Sequence, residues 1–201
     1  TILFCDIKGF TPFSESLSAY DVIFILNRYF SIMREVIIRH GGEVNNYIGD
    51  AILAIFGLKE SRQQSLRAVS ASVEMLKEMD QFKSYLKQAY GQDFDIRVGV
   101  HYGEVISGSV GIGEDRKVTV IGDAVNIASR IESINKEAGT RLLISETVYD
   151  QIKDKVSVKN YLRLKLRGTS SLITLYEVSD VNSSALELNV TEVERNIDGK
   201  K

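Results

Sequence analysis

The apolar positions of this 201-residue chain follow strand-like and helix-like periods in turn. Residues 1–7 form a nearly continuous apolar run, which predicts a first strand that ends before a turn at Gly9. Apolar side chains then recur at helical spacing over residues 22–37, which predicts a helix with one buried face. Ser18, followed by Asp21 three residues later, matches an acidic form of the capping box and predicts the start of this helix.

The next part of the chain predicts a hairpin and a second helix. Residues 43–48 and 51–56 read as two strands, and Gly49 with Asp50 between them matches a type II′ turn with glycine first. Apolar residues at helical spacing over residues 66–79 predict a helix that either extends beyond this point or breaks near Asp80.

The second half of the chain continues the mixture of strands and helices. Residues 95–101 and 104–110 predict another strand pair, and residues 117–121 predict a strand followed by a helix over 123–137. Shorter strands and one short helix complete the pattern up to residue 178. The predicted fold class is α+β, a mainly antiparallel sheet with flanking helices.

Length and composition favour one domain. With 44% hydrophobic residues the chain can bury one sizeable core. We assign the domain to residues 1–180 and expect residues 181–201 to form a polar, flexible C-terminal tail. A net charge of -2 and a pI near 5.8 give no long-range attraction for nucleic acid. The single cysteine, Cys5, excludes an intrachain disulfide, predicts a core position and indicates a reducing, cytoplasmic compartment.

The apolar runs also indicate whether the chain contains a membrane segment. None approaches the roughly 20 residues that a membrane helix needs, so no membrane segment is predicted. Because the first residue already belongs to a strand pattern, we expect a module of a longer protein with an upstream regulatory domain, and membrane attachment of the full-length protein stays open.

Two carboxylates stand where predicted strands end. Asp6 lies at the end of the first apolar strand, and Asp50 lies at the tip of the predicted hairpin. A buried carboxylate is costly unless it is paired or ligated, although Asp50 alone could simply form a turn. Two such residues are what a protein needs to hold a pair of divalent metals against a polyphosphate.

Two further features are consistent with a phosphate ligand. Gly9, Phe10 and Thr11 form a glycine-containing loop ahead of a helix, where backbone amides can face phosphate oxygens. Asn126 and Arg130 are four residues apart and share one helical face, so an amide and a guanidinium can address one ligand. On its own, such a pair is more often a surface feature.

Four segments in this order resemble one family: FCDIKGFT, NYIGDAILAIF, RVGVHYGEVISGSVG and TVIGDAVNIASR. They resemble the catalytic domain of the class III nucleotidyl cyclases, the adenylyl and guanylyl cyclases, and the match is nearest to the bacterial adenylyl type. The resemblance covers roughly residues 1–178. It implies the ferredoxin-like cyclase fold, in which two domains pair head to tail with the active sites at their interface.

The resemblance also implies which residues bind metal and phosphate. Asp6 and Asp50 would bind two divalent ions, Mg²⁺ or Mn²⁺, with the carbonyl of Ile7 as a further ligand. The amides of the loop over residues 9–11 and the side chain of Arg97 would contact the triphosphate.

The implied reaction converts ATP into 3′,5′-cyclic AMP and pyrophosphate by attack of the ribose 3′-oxygen on the α-phosphorus. Asn126 would orient the ribose and Arg130 would stabilise charge on the α-phosphate, both from a second copy of the chain. The implied partners are therefore ATP and a second protomer, in a homodimer with two equivalent sites. Neither His40 nor His101 is required as a base.

Base recognition departs from the family pattern. The position four residues before the second metal aspartate usually holds lysine in adenylyl cyclases and glutamate in guanylyl cyclases, and here it is Asn46. Thr119, seven residues before the catalytic asparagine, fits the bacterial adenylyl type. The triphosphate lysine of the family has two candidate matches, Lys165 and Arg167, and neither is assigned.

Several alternatives stay open at this stage. Asn46 is compatible with GTP or mixed substrate choice, since an asparagine amide both donates and accepts hydrogen bonds. The run over residues 41–43 faintly resembles the glycine-rich signature of diguanylate cyclases, although its glycines already serve to end a helix. A third alternative, from a different functional class, is that the domain is a non-catalytic module that binds nucleotide and dimerises.

Overall fold

The computed structural model describes residues 1–59, 62–113, 116–165 and 172–182. Within these ranges, seven strands form one sheet in the order β2-β3-β1-β4-β7-β9-β8, and β5 and β6 form a separate hairpin. The strands are β1 Ile2–Lys8, β2 Gly42–Ile48, β3 Ala51–Phe56, β4 Asp95–His101, β5 Ile106–Val110, β6 Lys117–Ile121, β7 Leu142–Ser145, β8 Val156–Lys165 and β9 Leu172–Val181. The helices are α1 Phe10–Glu15, α2 Ala19–Arg39, α3 Gln64–Tyr90, α4 Asp123–Ala138 and α5 Glu146–Ile152.

The large sheet is antiparallel except where β4 pairs with β7. Alternate residues of β1 enter two different clusters, as the two faces of a pleated strand require. Leu3 and Cys5 pack in the main core with α2 and α3, whereas Ile2 packs on the opposite face with α4. This confirms the predicted α+β class and the buried position of Cys5.

Local signals in the sequence located α2 and the first hairpin correctly. The Ser18 hydroxyl accepts a hydrogen bond from the Asp21 amide at 3.2 Å, which caps the first turn of α2. Gly49, between β2 and β3, has a φ of 64°, which a glycine adopts without strain. These features depend on neighbours in sequence, so the sequence alone could predict them.

The predicted pairing of residues 95–101 with 104–110 is wrong. β4 lies between β1 and β7, which occupy both of its edges, and β5 pairs instead with β6. The apolar pattern of a strand indicates that it pairs but carries no information about which distant strand becomes its neighbour.

The structure adds one helix to those expected and decides the extent of another. The turn expected at Gly9 is followed directly by the short helix α1, and Pro12 is tolerated because it lies in the first turn. α3 continues without a break past Asp80 and ends at Gly91, whose φ of 71° is left-handed. Met79 and Phe82, on either side of Asp80, both pack in the main core, which explains why the helix continues through this point.

The C-terminal predictions fall mostly outside the described residues. β9 continues to Val181, and the tail expected over residues 181–201 is described only as far as Asn182. Arg167 also lies outside the described ranges. None of the described helices is long and apolar enough to cross a membrane.

Candidate active site

The two predicted metal aspartates meet at one end of the central strands. β1 and β3 are antiparallel neighbours with Cys5 opposite Ile52, so the end of β1 lies beside the start of β3. Asp6 is therefore next to Asp50, close enough for the charge of Asp50 to raise the pKa of Asp6. Two residues 44 positions apart in sequence thus form one acidic pair, as the sequence predicted.

Burial and neighbouring negative charge raise the pKa of Asp6 to about 7. Partial burial is the largest cause, and the carboxylates of Asp50 and Glu132 add to it, while Arg97 acts in the opposite direction. Two carboxylates held together in a partly desolvated place repel each other when both are ionised. A divalent cation between them would remove that repulsion, so the pair fits the expected metal.

The donor set is small for a metal site. In the described part of the chain, no group of three or more histidine, cysteine, aspartate or glutamate side chains is arranged to hold a metal ion. The side chain of Ile7 is buried in the core, which leaves its backbone carbonyl as the group available to a ligand. A site with so few protein donors suits Mg²⁺, which usually takes its remaining ligands from water and substrate phosphates.

Arg97 lies opposite Asp6 on the neighbouring strand β4. Its Nη2 is 3.7 Å from Asp6 Oδ2, and its Nε donates to Glu132 Oε1 at 2.9 Å. The Arg97 side chain is 12% exposed and that of Glu132 is 4% exposed. Glu132 therefore holds one edge of the guanidinium and leaves the Nη groups directed toward the acidic pair.

Glu132 is a functional candidate that the sequence interpretation missed. Its carboxylate is buried under α4, and this burial raises its pKa, while Arg97 works against the shift. One feature of the sequence could have identified Glu132: it lies four residues after Ala128, on the buried face of the helix. A carboxylate on an apolar face requires a cationic partner, but the partner comes from a strand 35 residues earlier.

Asn126 and Arg130 lie on the other side of α4 from the acidic pair. At about 100° per residue, both positions are roughly opposite Ala128, whose backbone carbonyl lies against Gly99 of β4. No hydrogen bond or ion pair joins either side chain to another described residue. The structure therefore keeps this pair together but turns it away from Asp6 and Asp50 of the same chain.

The proposed base-reading residues lie near each other. Asn46 is exposed on β2, and Thr119, on β6, donates its hydroxyl to Asn45 Oδ1 at 3.1 Å. Asn45, which sequence reasoning did not single out, thus links the small hairpin to the strand that carries Asn46. The residues of this link are 74 positions apart in sequence, so no local pattern could have predicted it.

The phosphate-loop residues occupy the start of α1. Gly9 precedes the helix with a φ of 78°, Phe10 is half-buried, and Thr11 is exposed. Lys165 is exposed at the end of β8, the edge strand that lies four places from β1 in the sheet. The loop lies directly after Asp6, whereas no described contact links Lys165 with the acidic pair.

Comparisons with known proteins show which family the chain resembles. The family model described as adenylate and guanylate cyclase catalytic domain matches residues 1–179. An adenylate cyclase of Anabaena cylindrica is 36% identical over 185 residues, which is 89% of this chain and 36% of that protein. Adenylate cyclase 1 of Rhizobium meliloti is 33% identical over 182 residues, covering 90% of this chain and 27% of that protein.

Solved structures show the same fold. The guanylyl cyclase Cya2 has a TM-score of 0.85 at 32% identity, covering 90% of this chain and 92% of that one. The adenylyl cyclase CyaB from P. aeruginosa has a TM-score of 0.82 at 30% identity, covering 90% and 94%. The chain spans between about a quarter and just over a third of the length of the two curated relatives. It belongs to the family of adenylate and guanylate cyclase catalytic domains.

Proposed function

We propose that this domain is an adenylate cyclase that converts ATP into 3′,5′-cyclic AMP and pyrophosphate in a homodimer. The observation that carries the proposal is the division of the site. Asp6 and Asp50 form an acidic pair on the sheet, while Asn126 and Arg130 lie on the far side of α4 without a partner among the described residues. A second copy in head-to-tail orientation would bring the two halves together. The relatives named adenylate cyclase support ATP as the substrate.

The surface of the chain supports a second copy as the partner. The hairpin formed by β5, β6 and their connection exposes apolar side chains at between 52% and 89%, which is unusual for a surface that remains in water. The exposed side chains are Ile106, Val110, Ile112, Val118 and Ile121. The same hairpin carries Thr119, so covering it with a protomer would also close the base side of the site.

In the proposed mechanism, the acidic half binds the triphosphate end of ATP. Asp6, Asp50 and the carbonyl of Ile7 would hold two Mg²⁺ or Mn²⁺ ions, which when bound neutralise phosphate charge and favour deprotonation of the 3′-hydroxyl. Arg97, anchored through Nε to Glu132, presents its Nη groups to phosphate oxygens. The amides at the start of α1 supply further donors to the same phosphates.

The partner half orients the nucleoside. Asn126 would hydrogen-bond the ribose so that its 3′-oxygen lies in line with the α-phosphorus. Arg130 would stabilise the negative charge that develops there as the bond to pyrophosphate breaks. The new bond joins the 3′-oxygen to the α-phosphorus, so the ring closes with no side-chain nucleophile.

Mixing two inactive variants tests the shared site. Asp6→Ala and Arg130→Ala should each abolish formation of cyclic AMP. A mixed dimer contains one intact site, so an equal mixture should recover about a quarter of the wild-type rate if the chains pair at random. The matched control mixes Asp6→Ala with Asp50→Ala, where both defects fall in the same half and no intact site can form.

The measurement is cyclic nucleotide formed from ATP and from GTP with Mn²⁺, on mixtures whose mixed dimers are confirmed by differently sized tags. No recovery in confirmed mixed dimers would refute the shared site. Failure of the wild-type dimer to release pyrophosphate, despite binding ATP, would instead favour a non-catalytic nucleotide-binding module. A faster rate with GTP than with ATP would make GTP the substrate, which is the alternative that Asn46 leaves open.

A further inference from the structure

We propose that Asn45 holds Thr119 as a hydrogen-bond acceptor and so selects adenine over purines that carry a 6-carbonyl. The inference rests on the proposed function, because it assumes that Thr119 faces the base of the nucleotide. It adds a residue to the site that matches no base-reading position of the family.

The position of Asn45 depends on an irregularity in β2. Val44 pairs with Ala54 and Asn46 pairs with Leu53, so Asn45 is the extra residue of a β-bulge. A bulge re-aims a side chain that regular pairing would direct elsewhere. Asn45 is half-buried, and its Oδ1 receives the Thr119 hydroxyl at 3.1 Å.

The direction of this hydrogen bond decides what Thr119 can offer to a ligand. A threonine hydroxyl has one proton and two lone pairs. In this contact the proton goes to Asn45 Oδ1, so Thr119 turns only lone pairs toward a ligand and accepts a hydrogen bond from it. The 6-amino group of adenine donates a hydrogen bond, whereas the 6-oxygen of guanine or hypoxanthine only accepts. Two acceptors would then face each other without a proton between them.

Asn46 cannot make this choice alone. Its amide carries both donors and an acceptor, is exposed on β2, and can rotate to suit either kind of base edge. Thr119 without a partner could also rotate and donate to a 6-oxygen. The contact with Asn45 removes that freedom, so the pair supplies the discrimination that the exposed asparagine lacks.

The first test changes only the acceptor. In Asn45→Leu the Thr119 hydroxyl is free to donate, and the ratio of kcat/KM for ATP to that for GTP should fall about tenfold, as should the ratio for ATP to ITP. Asn45→Asp keeps an acceptor oxygen and should retain the ratios. Asn160→Leu, on the distant strand β8, is the matched control for the loss of an asparagine side chain.

A double-mutant cycle separates this role from a purely structural one. Thr119→Val should lower the same ratios, and adding Asn45→Leu to it should cause no further change. Asn45→Ala serves in place of Asn45→Leu if the larger side chain prevents folding, as judged by circular dichroism. A structural link would alter thermal stability but not the ratio between two nucleotides.

Two results would overturn the inference while leaving the cyclase activity intact. One is an unchanged ATP to GTP ratio in folded Asn45→Leu and Asn45→Ala dimers. The other is an equal fall in the ATP to GTP ratio when Asn45→Leu is introduced into wild type and into Thr119→Val. If the wild-type dimer formed no cyclic nucleotide from any of the three triphosphates, the proposed function itself would fail.

Discussion

Replacing Asp6 with asparagine should stabilise the metal-free domain at pH 8 while abolishing catalysis. The reason is the raised pKa of Asp6, about 7 against an ordinary value of 3.8. Between these two values the folded protein holds a proton that the unfolded chain has released. The free energy of unfolding therefore falls as pH rises through this window. The asparagine side chain would keep the shape of the aspartate without its charge.

The size of the effect follows from the same numbers. A difference of about 3 pH units at 1.36 kcal/mol each sets an upper bound of about 4 kcal/mol. The Asp6 side chain is 29% exposed, and the repulsion is shared with Asp50, so solvent screening reduces the expected gain to about 1–2 kcal/mol. A comparable carboxylate that is exposed, Asp93, should show no such gain on conversion to asparagine.

Urea unfolding in EDTA at pH 5 and pH 8 measures the prediction. Wild type should lose about 1–2 kcal/mol more than Asp6→Asn between the two pH values, and Asp93→Asn should follow wild type. Adding Mn²⁺ at pH 8 should raise the unfolding midpoint of wild type and leave that of Asp6→Asn almost unchanged. Equal pH dependence in wild type and Asp6→Asn would refute the electrostatic reasoning, and equal stabilisation by Mn²⁺ would refute the metal assignment.

Three other predictions concern the groups that support the site. A Cβ at Gly99 would lie 2.3 Å from the backbone nitrogen of Glu132, so Gly99→Ala should displace α4 and reduce activity at least about tenfold; activity equal to wild type in the folded variant would contradict this. Glu132→Gln should lower the rate of cyclic AMP formation about tenfold, because an amide oxygen accepts more weakly than a carboxylate from Arg97 Nε and holds the guanidinium less firmly toward the acidic pair. The rate is compared with that of Glu137→Gln, an exposed position on the same helix, and equal rates in the two variants would argue against the anchoring role of Glu132. Burial lowers the pKa of His101 to about 4 from 6.5, so the unfolded chain takes up the proton first and stability falls as pH drops through this range. In His101→Gln, the loss in the free energy of unfolding between pH 7 and pH 5, measured with urea, should be smaller than in wild type. An equal loss in both proteins would count against a buried neutral histidine.

The features predicted correctly are those that depend on neighbours in sequence. The Ser18 cap, the α2 helix and the turn at Gly49 each follow from a pattern within a few residues. The acidic pair was also predicted, because each aspartate stands at a strand end where a packing role would be costly. Its assembly still required the antiparallel neighbourhood of β1 and β3.

The features that were missed depend on pairing between distant parts of the chain. The apolar pattern of residues 104–110 predicted a strand but assigned it to β4 instead of β6. Glu132 carries no motif, and its importance comes from Arg97 on a strand that packs beneath α4. Asn45 was passed over because neither its bulge nor its contact with Thr119 can be deduced from neighbouring residues.

The sequence by itself determined the family, the α+β class and the residue types needed for nucleotide chemistry, since these are recorded in short motifs and local periodicity. Only the tertiary structure decided which groups meet. It places the acidic pair and Arg97 on the sheet, turns Asn126 and Arg130 away on the far face of α4, and joins Asn45 to Thr119. The physical reason is that burial, charge pairing and hydrogen-bond direction depend on contacts between residues 35 to 91 positions apart, which no local pattern encodes.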